Sequence, residues 1–443
     1  MTENPTTTAP TVTSAQLDLK AQAEAMRPKP RRDRYIWGVY LFIVAISIVE
    51  VYSASSREVL AGDILGPIVK HVILLFGGFL LMVILQRVHY VRFYSWAVVI
   101  VGLCVAATIY TIFFGQRLNE AVRSFSFFGL FSVQPSELLK FSAALIIPRM
   151  LCKYRVTISS DHPEEDKKYN KKLIYGVCII VLVFSGMMIN QGLTNAILLV
   201  LIALSTMLVG GIRWREFGLI LAVFAVLGLG YGAYKVIKSA TKEKTEQTEQ
   251  SGDRTNMRIN RVLDFMREDK YKDAITDANS QEQYSYIAQA NGGIFGVGPG
   301  NSRETARLPL AFSDYIYAII IEDIGLIGGL FVLSLYLCLL ARAGRIAMKC
   351  KKAFPAMLVI GMAVFITFQA LMHMAIVTGA APVSGQPLPL ISKGGSSVIV
   401  TSIALGVMLS VSRFAARKGI KQEVRDNISG LSDNEMPDNP TQL

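Results

Sequence analysis

Charge is what this sequence has least of. Only 18% of its 443 residues are Asp, Glu, Lys or Arg, against 52% that are hydrophobic, whereas a soluble domain carries about 25% charged residues. That shortage argues against a purely soluble protein, and the apolar fraction excludes disorder. The 35 Gly and 16 Pro follow no period, which excludes a collagen. Cysteine is scarce as well: five residues, with no C-x-x-C pair and none in a polar outer connection. Neither a disulfide framework nor a zinc site is expected from them. No Gly-Lys-Ser/Thr triplet occurs, so there is no Walker loop. A cleavable signal peptide is not expected either. Residues 1–26 are polar and Thr-rich, and the first apolar run lacks a small-residue cleavage site, so that run reads as a signal anchor.

What the chain has instead is long apolar runs. About ten of them approach the length that spans a bilayer: 37–52, 68–85, 94–114, 135–151, 173–189, 193–209, 217–237, 315–340, 354–377 and 398–411. They are continuous rather than alternating, so they predict helices and not the strands of an outer-membrane barrel. The expected fold is an all-α polytopic membrane protein of about ten transmembrane helices. A tail at 1–34, a membrane domain at 35–414 and a second tail at 415–443 complete it.

Lys and Arg orient the spans. They cluster before the first (Arg27, Lys29, Arg31, Arg32, Arg34), after the second (Arg87, Arg92), after the fourth (Lys153 to Lys172), after the sixth (Arg213, Arg215), after the eighth (Arg342 to Lys352) and after the tenth. Every second connection is basic, which predicts both termini in the cytoplasm. The net charge of +12 is therefore mostly topology. No nucleic-acid partner is expected, because the basic clusters lack interleaved aromatics.

The connection between spans 7 and 8, residues 238–313, is by far the longest outside the membrane. Its first stretch, 241–254, is charged. In 258–270, Ile259, Val262, Leu263 and Met266 repeat on one helical face, suited to the bilayer surface or the span mouths. Both stretches have little apolar surface with which to fold alone, so a partner on the outer face is expected to order them and raise activity.

Chemistry is sought where polar residues interrupt apolar ones, since each is costly in lipid unless paired or hydrated. Span 4 opens Gln134-Pro135-Ser136-Glu137, with Lys140 one turn on. Proline at the first helical position and the three-residue spacing put carboxylate and ammonium within ion-pair reach, as a packing pair or as the floor of a hydrated cavity. Residues 292–300 hold five glycines in nine, followed by Asn301, Ser302 and Arg303. They suit either amides aimed at an anion or a plain re-entrant turn. Asp314 and Glu322 follow, and Glu322 needs a partner in its apolar surroundings. The segment Pro382 to Ser397 contains Ser392, Lys393, Gly394, Gly395, Ser396 and Ser397, whose amides and hydroxyls at a helix start suit phosphate. Its prolines break helix, which at a membrane mouth requires burial in protein or a water-lined cavity. His373 reads as a satisfied core histidine. Asp273 and Asp277 lie in an acidic stretch of the long loop, where a lone aspartate is ordinarily a solvated charge.

These motifs in this order resemble the SEDS family (shape, elongation, division and sporulation), over about residues 35 to 414. Carrying the resemblance are Gln134-Pro135-Ser136-Glu137 with Lys140, Gly298-Pro299-Gly300-Asn301-Ser302-Arg303 with Leu308-Pro309, Ser313 to Tyr317, Glu322 with Gly325-Leu326-Ile327-Gly328, and Pro382 to Ser397. The Gly-Asn-Ser triplet favours the cell-division branch over the elongation branch. The sequence departs from the family at Lys393 for an aromatic, Ser384 for Thr, His373 for Asn, and Leu193-Thr194-Asn195 for Leu-Gly-Thr.

The resemblance implies a lipid II polymerase working outside the cytoplasmic membrane, at the septum, beside a class B penicillin-binding protein and other division proteins. It also implies a loop aspartate as the catalytic residue, here Asp277 or Asp273. The family's Asp-Pro-x-Gly context is absent, and Asp277 is preferred because residues 281–288 resemble the family's Gln- and Ser-containing helix. Arg123, Glu137, Lys140, Asn301, Ser302, Arg303, Asp314, Glu322 and the 392–397 stretch would line the substrate site. Lys393, Arg303 or a divalent cation such as Mg or Mn would meet the leaving pyrophosphate, with no organic cofactor. A lipid II flippase and a non-catalytic division scaffold are the alternatives. The flippase predicts inverted repeats, and no convincing repeat is visible.

Overall fold

The computed structural model describes residues 33–54, 66–118, 121–127, 131–157, 163–189, 192–212, 214–226, 230, 275–276, 279–308, 311–350 and 352–429. Asp273, Asp277 and the stretches 241–254 and 258–270 lie outside the described residues. In chain order the helices are α1 (Arg34–Ala54), α2 (Gly66–Leu85), α3 (Tyr90–Phe114), α4 (Pro135–Thr157), α5 (Pro163–Ile189) and α6 (Leu193–Val209). They continue with α7 (214–226), α8 (Ser280–Gly292), α9 (Ile316–Lys349), α10 (Ala353–Val377) and α11 (Gly395–Ser429).

Among the described residues, six helices are long and apolar enough to cross a membrane: α1, α2, α3, α9, α10 and the first part of α11. These coincide with sequence runs 1, 2, 3, 8, 9 and 10, while α5 and α6 contribute shorter apolar stretches. The expectation of an all-α chain needs one correction. Residues 116–133 form a three-stranded antiparallel sheet, β1 (Gln116–Leu118), β2 (Ala121–Phe127) and β3 (Phe131–Val133). The cause is local. Ser124 and Ser126 alternate with Phe125 and Phe127, the two-residue period of a strand, on a segment too short and too polar for a span.

Burial separates the helices into shells. α10 and the apolar part of α11 have most of their side chains inside the protein, whereas α2 and α3 turn most of theirs outward. The exposed side chains of α3 are Val99, Leu103, Phe113 and other large apolar groups. Such a surface fits lipid as the solvent. α10 is the hub and packs against α9, α4 and α6; α3 packs on α4, and α1 on α9.

Residues Asp33–Ser412 form one compact unit; Met1–Arg32 and Arg413–Leu443 form another, of which the helical residues 413–429 are described. Within the larger unit a polar clamp ties three helices together. Asp33 caps α1, accepting from the amides of Tyr35 and Ile36 at 3.2 and 3.3 Å. The same carboxylate takes Nε and Nη2 of Arg342 at 3.0 and 2.9 Å and the hydroxyl of Ser412 at 2.6 Å. Arg342 also lies 4.6 Å over the ring of Tyr35. Asp33→Ala should therefore cost about 3 kcal/mol, read as a lower unfolding midpoint in detergent. An unchanged midpoint would mean that the clamp contributes nothing.

Candidate active site

The polar floor begins at the first turn of α4. Pro135 supplies a preset backbone angle where no amide is needed, and the helix that follows carries Glu137 and Lys140 inward. Their side chains are 1% and 0% exposed, with Nζ 2.7 Å from Oε1. An ammonium has three protons to donate. Here the other two go to Oε1 of Gln369 at 3.2 Å and Oε1 of Gln386 at 3.4 Å, so the buried cation is satisfied by one carboxylate and two amide oxygens. Glu137 Oε2 has no hydrogen-bond partner and remains an open acceptor. His373 completes the group, its Nδ1 2.6 Å from the carbonyl of Gln386. A carbonyl only accepts, so in the neutral ring Nδ1 carries the proton and Nε2 is bare; Nε2 is buried and unpartnered.

The segment 382–397 folds over this floor without regular structure until α11 begins at Gly395. Ser392 ties it down. Its hydroxyl accepts from the amide of Leu388 and donates to the carbonyl of Ser313, both at 2.7 Å. The Lys393 amide donates to Phe312 at 2.9 Å, and its ammonium sits 4.4 Å over the Phe312 ring. Ser396 accepts from the Gln134 amide at 3.1 Å, joining the starts of α4 and α11. The hydroxyl of Ser397 is buried without a partner. The Gly394 amide donates to Ser392 at 2.7 Å.

The glycine segment has a different neighbour. α9 is broken at Gly325, where φ is 81° and ψ is −178°. The break frees backbone groups that segment 293–298 takes up. Val297 and Gly298 donate to the carbonyls of Glu322 and Asp323, each at 2.9 Å, and Leu326 donates to Gly293 at 2.9 Å. A Cβ on Gly296 would collide with the Asp323 carbonyl, and one on Gly325 with that of Ile294. Both glycines are thus required by backbone-to-backbone approach. Glu322 is the anchor beyond the break. It receives the hydroxyl of Ser302 and the amides of Arg303 and Glu304 at 3.0 and 3.4 Å. Asn301 turns back on Val297 at 3.2 Å.

The predicted residues therefore fall into two clusters with separate partners: Glu137, Lys140 and the 392–397 stretch in one, Asn301, Ser302, Arg303 and Glu322 in the other. Asp314 is half-buried beside the first and accepts from Ser313 at 2.9 Å. Arg123 lies on β2. α8, which follows the loop aspartates, docks on the end of α10, where Ser285 and Gln289 donate to the Val377 carbonyl at 3.1 and 2.9 Å. Two buried groups, Gln369 and Glu50, escaped the sequence reading, and a third, Gln386, was noted there only as part of segment 382–397. Gln369 and Gln386 reach Lys140 from 229 and 246 residues away. Glu50 on α1 is fully buried, with neither oxygen hydrogen-bonded. The signal was present in each case, a polar residue in an apolar or broken segment. Among the described residues no three His, Cys, Asp or Glu gather as metal ligands.

A buried acid and ammonium beneath a broken re-entrant segment, inside a helical membrane domain, narrows the comparison. The sequence profile of the cell cycle proteins FtsW, RodA and SpoVE matches residues 33–417. The chain belongs to the FtsW/RodA/SpoVE family. Stage V sporulation protein E of Bacillus subtilis is 27% identical over 381 residues, 85% of this chain and 96% of that protein. The "Probable peptidoglycan glycosyltransferase FtsW" of Marinobacter nauticus is 32% identical over 321 residues, 72% of each. In the same family, the rod shape determining protein RodA of Thermus thermophilus superposes with a TM-score of 0.58 at 22% identity, over 86% of this chain and 97% of its own. A chain of a peptidoglycan synthase complex that coordinates polymerization and crosslinking superposes with a TM-score of 0.62 at 23% identity, over 87% and 98%. The fold is thus shared along nearly the full length of these two solved chains.

Proposed function

We propose that this chain is a peptidoglycan glycosyltransferase of the division machinery, joining lipid II into glycan strands at the outer face of the cytoplasmic membrane. The observation that carries the reading is the buried pair of Glu137 and Lys140, wrapped by Gln369 and Gln386 under segment 382–397. A charged pair this deep persists in an apolar domain when something polar must be received there. The topology that goes with it has ten spans, cytoplasmic termini and the 238–313 loop outside. A class B penicillin-binding protein stands beside it at the septum, and its crosslinking would consume the strand.

In the reaction the loop aspartate, Asp277 in preference to Asp273, takes the proton of the acceptor 4-hydroxyl. That oxygen attacks C1 of the donor sugar, the bond to undecaprenyl pyrophosphate breaks with inversion, and the pyrophosphate leaves with the electron pair. Lys393 and Arg303 are the side chains of this chain that would meet its charge. Glu137 and Lys140 shape the cavity, and Glu322 holds the end of the loop through Ser302 and the amides of Arg303 and Glu304. The test is polymerisation of lipid II by the purified chain in detergent, with and without its transpeptidase. No polymer under either condition would sink the reading, and polymer made where no bilayer has to be crossed would set aside transport as the sole activity.

A further inference from the structure

At the end of α9 away from Glu322, a cavity of about 430 Å³ opens between α9, α6 and α10. Its walls are apolar: Val209 at the end of α6, Ala341, Gly344 and Met348 on α9, and Ile360 on α10. Arg345 is the one charged lining residue. Arg342, one turn earlier, is already committed to Asp33. Arg345 is exposed, and Lys349 follows it at i+4, so two cations sit on one edge of the helix with no acid among the lining residues. The volume is that of a ligand pocket, and it opens on the side that Met348, 82% exposed, turns outward.

We propose that this cavity is a binding site for one anionic phospholipid, its acyl chain along Gly344 and Ile360 and its phosphate on Arg345. The chemistry discriminates among lipids in two ways. The apolar wall disfavours a free phosphate or a nucleotide, which would leave it unfilled, whereas an acyl chain covers it. A zwitterionic headgroup would bring its own ammonium against Arg345 and Lys349, whereas phosphatidylglycerol brings only the anion. Arginine holds a phosphate through two parallel hydrogen bonds, which lysine does not. Basic pockets between transmembrane helices hold anionic headgroups on the same principle.

The experiment is native mass spectrometry of the full chain, delipidated and then titrated with equimolar phosphatidylglycerol and phosphatidylethanolamine. One phosphatidylglycerol should be retained about tenfold more than the zwitterionic lipid, the worth of one charge-assisted pair. Arg345→Gln, at an exposed position, should abolish the preference. Gly344→Leu should abolish it as well, because a Cβ added there meets open space and Gly344 lines the cavity, so a longer side chain takes up room the acyl chain needs. Equal retention of the two lipids by the wild type overturns the site. So does a preference that survives Arg345→Gln, or one that survives Gly344→Leu, since the charge would then act on open surface rather than at a seated lipid.

Discussion

Replacing Lys140 by Met is expected to cost about 3–5 kcal/mol of stability, because it leaves the Glu137 carboxylate buried with no cation. The same change strips Gln369 and Gln386 of their shared donor. Loss of polymerisation in this variant alone would not separate chemistry from folding. The double substitution Glu137→Leu with Lys140→Met does. Exchanging a buried ion pair for apolar groups of similar volume is close to neutral for stability, so the double variant should recover most of that loss, short of the two glutamine oxygens left without their donor. Its polymerisation should still fall roughly a hundredfold, the usual loss when a preorganised polar group is removed from a reaction site. A stable double variant that makes polymer at the wild-type rate would reduce the pair to packing and overturn the cavity reading.

The second large effect is expected at the loop aspartate. Asp277→Ala should lower the polymerisation rate by roughly 10²–10⁴, with lipid II binding retained. A general base works in the transition state, so kcat should fall while KM holds. Asp273→Ala should leave the rate within about twofold of wild type, inside the span of a solvated surface charge. The reverse pattern moves the base to Asp273. Full activity in both variants rejects a loop aspartate as the base.

Much of this arrangement is legible in the residues, and what is not has a common cause. Pro135, Glu137 and Lys140 fall within six residues, so helix geometry alone brings acid and base together. The partners that wrap Lys140 come from α10 and from segment 382–397, and only tertiary packing selects those two glutamines from the chain's other amides. The glycines of 292–300 advertise a close approach without saying to what. An anion and another backbone make the same demand on Cβ space, and the backbone is that of α9 at its break. Gly325 gives little warning of that break, because it stands in an apolar run that also holds Gly328 and Gly329. Glu322 was marked as needing a partner, and it finds a serine hydroxyl and main-chain amides where a cationic side chain would be the first guess. The alternating Ser and Phe of β2 are too few to stand out beside apolar runs of about twenty residues.

The break at Gly325 also changes how α9 carries load. The stretch from Ile316 to Ile324 is fastened to 297–298 by main-chain hydrogen bonds and to 302–304 through Glu322, and the stretch after it is bonded to 293–294 by Leu326 and Ile327 before it meets the hub α10 and, through Arg342, the foot of α1. A load applied at 293–304 is therefore passed to both sides of the break by the same short segment, a splint across the joint, rather than to a continuous thirty-four-residue rod. Gly325→Ala, which strains that joint and collides with Ile294, would misalign the splint while leaving every charged group of the site in place.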